Sequence, residues 1–177
     1  MPRQVFFFDR PGRFVAGTVG EPGDRTFFLQ ASDGGRTVSV ALEKAQVRLL
    51  AERLGELLAT VRRTTGAAAE PVEDTAALEA PVEEEFRVGS MGLAWDAEDE
   101  VCVIEALALS EDEDVEPLSD DEDGPDALRV RLDLGPALAF VTRALRVVAA
   151  GRPPCPLCGL PLDPGGHVCP RQNGHRR

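Results

Sequence analysis

The sequence predicts an α+β fold: two β-β-β-α repeats sharing one core, followed by a small C-terminal zinc-ribbon-like knuckle. Three observations predict it. Short Val-, Phe- and Thr-rich runs are split by Gly, Pro and Asp turns, two longer stretches carry apolar residues at spacings of three and four, and a Cys-x-x-Cys lies near the end. With 177 residues, 43% of them hydrophobic, the chain can bury one sizeable core but not two.

Residues 5–8, 13–19, 26–32 and 37–41 read as strands, punctuated by Asp9-Arg-Pro-Gly12, Gly20-Glu-Pro-Gly23 and Asp33-Gly-Gly35. From Leu42 to about Arg63, the apolar positions Leu42, Ala45, Leu49, Leu50, Leu54, Leu57, Leu58 and Val61 line one helical face, which ends at Thr64-Thr-Gly66. Residues 1–66 thus form the first repeat, with an extra N-terminal strand. Residues 67–84 are Ala, Pro, Glu and Thr with few large apolar groups, the composition of a flexible acidic linker. The second repeat, 85–150, holds strands at 86–95, 101–109 and 127–133 and a helix at 137–150. Its segment 110–126 carries ten acidic residues and no basic one, so self-repulsion predicts a mobile loop. Residues 151–177 form the knuckle tail.

Phe14-Val-Ala-Gly-Thr-Val-Gly20 parallels Phe86-Arg-Val-Gly-Ser-Met-Gly92, and Thr26-Phe-Phe-Leu-Gln-Ala31 parallels Val101-Cys-Val-Ile-Glu-Ala106. Arg36-Thr-Val-Ser-Val precedes one helix as Leu128-Arg-Val-Arg-Leu precedes the other. The ordered agreement predicts a duplication whose halves share a core across a pseudo-twofold axis.

The formal charge of −12 divides into +3 for residues 1–65, −21 for 66–126 and +6 for 127–177. The acidic middle would repel phosphates, which argues against nucleic acid as the principal partner. The N-terminal apolar run, Val5-Phe-Phe-Phe8, is far shorter than the about 7–15 residues of a signal peptide's apolar region or the about 20 of a spanning helix. The expected location is therefore the cytoplasm, with no membrane partner. Cysteines crowded into 155–169 of such a protein point to metal or redox chemistry rather than a disulfide framework.

Cys155-Pro-Leu-Cys158-Gly has the form of a zinc knuckle, in which a tight turn aims backbone amides at the sulfurs and brings two soft ligands together. His167 and Cys169, two positions apart, project to one side of an extended chain and complete a full, structural Zn site. His175 is the alternative fourth ligand. A redox role for Cys155 and Cys158 is disfavoured because the motif sits among prolines rather than opening a helix. Cys102, alone in an apolar strand, reads as core.

No histidine lies outside the tail, so a Ser-His or Cys-His pair in the main domain is excluded. Gly17-Thr-Val-Gly-Glu-Pro-Gly23 lacks the Lys and Ser/Thr of a phosphate loop and reads as a hairpin turn. The acidic run 111–126 lacks the spacing of a calcium loop. Arg3, Arg10, Arg13, Arg25 and Arg36, at strand ends and turns, are candidates for an anion-binding rim.

Arg13-Phe-Val-Ala-Gly-Thr-Val-Gly-Glu-Pro-Gly-Asp-Arg-Thr-Phe-Phe-Leu-Gln-Ala31 and Cys155-Pro-Leu-Cys-Gly…Gly-His-Val-Cys-Pro-Arg171 resemble an uncharacterised actinobacterial repeat protein family, the domain of unknown function 3090. The resemblance covers nearly the whole chain. It implies genes beside a histidine-phosphatase-like and a phosphatidylinositol-kinase-like protein, and hence a shared pathway or complex. The expected function is a non-catalytic, zinc-containing binding or adaptor protein with a protein partner. The alternatives are an enzyme or small-ligand-binding protein with an arginine-rimmed cleft between the repeats, and nucleic-acid binding through Arg152, Arg171, Arg176 and Arg177 of the basic tail.

Overall fold

The computed structural model describes residues 2–21, 23–111, 115–150, 155–159, 169 and 171. Along the chain run β1 (Val5–Asp9), β2 (Arg13–Val19), β3 (Thr26–Asp33), β4 (Arg36–Leu42), α1 (Lys44–Thr65), β5 (Glu84–Asp96), β6 (Val101–Ala108), β7 (Ala127–Leu132) and α2 (Leu134–Ala149). The seven strands form one sheet in the order β1-β7-β6-β5-β4-β3-β2. Within each half the pairing is antiparallel, whereas the seam between β4 and β5 is parallel and short, with Ser39 opposite Glu84 and Ala41 opposite Arg87.

This topology corrects the expected symmetry. The order strand-strand-strand-helix does occur twice, but both helices pack on one face of the sheet and against each other, Val141 of α2 lying beside Gly55 of α1. A twofold axis perpendicular to the sheet would make the seam antiparallel, and one along the strands would put the helices on opposite faces. The two halves instead lie side by side along the sheet.

β1 and β2 stand at opposite ends of the strand order yet are joined by three residues, Arg10, Pro11 and Gly12. Six strand spacings in a flat sheet would separate them by about 29 Å, more than four Cα steps of about 3.8 Å can reach. The sheet therefore curls until its edges meet. Arg36, the first residue of β4, closes the gap: its guanidinium lies 3.9 Å from the Phe8 ring centroid and donates to the Phe7 carbonyl.

Alternation along the strands sends Phe14, Phe27, Leu29, Val40, Ile104, Leu128 and Val130 toward the helices. They meet Leu50, Leu54 and Leu58 of α1 and Phe140 and Ala144 of α2, and Phe14 stacks on Phe140 with centroids 4.7 Å apart. One core thus serves both halves. The opposite face of the sheet carries Gln30 and Glu105, which are 1% and 0% exposed although polar. Two irregular acidic segments bury them.

The first of these segments is the acidic linker whose composition predicts flexibility. Residues 67–83 contain neither helix nor strand, but Arg13 grips Asp74 through Nε–Oδ2 at 2.7 Å and Nη2–Oδ1 at 3.0 Å. Arg143 donates to the Asp74 and Ala76 carbonyls, and the Gln30 amide pairs with both the N–H and the C=O of Glu79. In the predicted mobile loop 110–126, the described residues 115–126 are held similarly: Glu105 accepts from the Leu118 N–H at 2.7 Å, and Arg3 and Arg129 both donate to the Ser119 carbonyl. Local composition could not register arginines arriving from distant elements to neutralise the acidic charge.

Candidate metal centre

Residues 155–159 form a tight turn in which the Gly159 N–H donates to the Cys155 carbonyl at 2.8 Å. Gly159 has φ of +75°, a left-handed conformation that its missing Cβ permits. The turn aims the Leu157 and Cys158 N–H groups at the Cys155 sulfur, holding its thiol below the usual range, with Cys158 and Cys169 adding to the effect. This is the amide arrangement anticipated from Cys-Pro-x-Cys-Gly.

The tertiary structure brings Cys169 to the same place. The sulfurs of Cys155, Cys158 and Cys169 lie within 4.8 Å of one another, with Cys155 and Cys169 at 3.9 Å. Two thiolates bound tetrahedrally to one zinc at about 2.3 Å are separated by about 3.8 Å, so the sulfur spacing fits a shared metal. Cys155 and Cys169 are buried. The predicted ligand His167 and its alternative His175 lie outside the described residues. Cys102 is distinct: burial in the sheet core pushes its thiol up to about 12, leaving it inert.

The predicted arginine rim is engaged internally. Arg3 meets Glu105, Arg10 meets Asp133, Arg13 meets Asp74, Arg25 lies over Phe27, and Arg36 meets Phe7 and Phe8. A cavity of about 350 Å³ does open between the halves, lined by Phe14, Leu132 and Phe140; of its charged members Arg13, Glu70 and Asp74, Arg13 and Asp74 are bonded to each other. Arg13 lowers the Asp74 pKa, chiefly through that hydrogen bond. Sequence reasoning overlooked Arg143, which α2 presents 6% exposed, donating to the Ala16 carbonyl at 2.8 Å and to Asp74 Oδ1 at 3.0 Å. A lone arginine on an otherwise apolar helical face was the available signal.

A family model described as a protein of unknown function, DUF3090, matches residues 6–169. The chain belongs to this family. No curated protein and no solved structure matches it. The matched span includes the sheet, both helices and all three clustered cysteines. Among the described residues, no helix is long and apolar enough to cross a membrane.

Proposed function

We propose that this member of the family is a non-catalytic, zinc-containing adaptor, with Cys155, Cys158, Cys169 and His167 holding one structural zinc. The three converging sulfurs carry this reading. A filled four-ligand site leaves no position for substrate, so the metal would supply folding free energy to a tail with few apolar residues of its own. The two βββα units are read as copies of one ancestral element, presenting related surfaces beside the knuckle. Partners of histidine-phosphatase-like and phosphatidylinositol-kinase-like type follow from the family's gene context.

Zinc content of protein purified without added metal tests the site. One equivalent is expected, falling after His167→Ala and retained after His175→Ala; the opposite pattern reassigns the ligand, and metal-free protein with native structure rejects the site. Binding of purified candidate partners before and after chelation tests the adaptor role. Partner binding that survives full zinc removal would separate the tail from docking.

A further inference from the structure

The strap at residues 70–79 lies in a groove that it does not fill. Two cavities, about 350 and 310 Å³, flank it and share Val72, Asp74 and Ala139 in their walls. Val72 borders both cavities and is 79% exposed, so it leaves the groove beside Phe14 and Phe140 open. The opposite situation holds at Asp74. Arg13 and Arg143 converge on its carboxylate, and Arg146 donates to its carbonyl at 2.8 Å. Arg13 also donates to the Ala76 and Ala77 carbonyls and Arg143 to that of Ala76, while Arg146 meets the Glu73 carboxylate at 3.2 Å and Ser32 and Thr37 meet that of Glu79. Such contacts recognise an acidic chain in a set path.

We propose that this groove binds an acidic peptide segment of a partner, with a large apolar residue two positions before an aspartate, and that residues 70–79 are its undersized resident. In an extended ligand, positions two apart project to the same side, so an aromatic residue at the place of Val72 enters the cavity when the aspartate meets the arginines. Charge complementarity selects the acidic partner: the groove supplies Arg13, Arg143 and Arg146, and the resident itself carries Glu70, Glu73, Asp74 and Glu79. The tether makes the resident a strong competitor, with an effective concentration on the order of millimolar. The proposal rests on the reading as a partner-binding protein and names the chemistry of one partner segment.

The test uses the full-length protein and a labelled synthetic peptide of residues 69–80 carrying Val72→Trp. Asp74→Ala in the protein removes the competing carboxylate and should tighten peptide binding at least about ten-fold relative to wild type. Val72→Trp in the protein should raise its thermal midpoint by about 2–4 °C and weaken the peptide. Arg143→Met in the Asp74→Ala background should abolish binding. Equal affinity for wild type, Asp74→Ala and Val72→Trp, or a lowered midpoint for Val72→Trp, would overturn the proposal. If Asp74→Ala does not fold, Asp74→Asn keeps the shape and serves the same comparison. Chelation should leave peptide affinity unchanged, so failure of the zinc site and failure of the groove are read separately.

Discussion

The two halves cover the outer face of the sheet by the same device with different chemistry. In the first half, the strap places Leu78 over Gly17, where an added Cβ would lie 2.5 Å from Leu78 Cδ2, and the neutral Gln30 amide holds the Glu79 backbone. In the second, Pro117 sits over Gly92, where an added Cβ would lie 2.6 Å from Pro117 Cβ, and the Glu105 carboxylate holds the Leu118 N–H. Gln30 and Glu105 occupy matching positions in the parallel segments; the glycines beneath the covers do not, since those segments pair Gly17 with Gly89. The neutral clamp balances itself with an amide donor and acceptor. The charged clamp requires Arg129, at 2.6 Å, and Arg3, at 3.4 Å, to offset a buried carboxylate. Similar geometry therefore carries unequal electrostatic risk.

The largest consequence should follow loss of the charged clamp. Glu105→Ala leaves Arg3, whose side chain is 4% exposed, buried without its counter-charge, and should cost about 3–5 kcal/mol in urea unfolding. Gln30→Ala removes a neutral partner and should cost about 1–3 kcal/mol, mainly by leaving the Glu79 N–H unsatisfied. If the two substitutions cost the same, the distinction between neutral and charged clamps fails.

The glycine notches sharpen the comparison at smaller magnitude. Gly92→Ala forces the rigid Pro117 ring outward and should cost about 1–3 kcal/mol. Gly17→Ala meets a Leu78 side chain able to change rotamer, so it should cost less, with amide exchange increasing in residues 74–79. Exchange spreading instead through 115–120 would contradict the assignment of covers to halves.

The smallest effect is a pH dependence confined to the first cover. Asp74 has a folded pKa below its ordinary 3.8, chiefly because Arg13 donates to it, so its stabilisation is fully present above that unfolded value. It is lost as pH falls through the lower folded value. The stability gap between wild type and Asp74→Asn should be constant above about pH 5 and close as the pH is lowered toward 3. A gap that widens on acidification would reverse the sign and exclude Asp74 as the charged anchor.

The strands, both helices and the Cys155–Gly159 turn were legible because each is encoded locally: alternation, three-and-four spacing, and a short run whose chemistry is complete in five residues. The covers were not legible. Asp74 meets Arg13 and Arg143 across sequence separations of 61 and 69 residues, and nothing in an Ala-, Pro- and Glu-rich stretch records those distant donors. Glu105 gave a partial signal as an acidic residue within an apolar strand, but Arg3 and Arg129 come from two other parts of the chain.

By itself, the sequence determined the element order, the core-facing side of the first helix, a single core and three candidate thiolate ligands, because near-neighbour spacing settles which residues share a face. Only the tertiary structure decided that the halves lie side by side, that the sheet curls until β1 meets the start of β4, and that both acidic segments are seated. Those outcomes depend on hydrogen bonds and ion pairs between residues far apart in the chain, whose partners exist only once the sheet has brought them together.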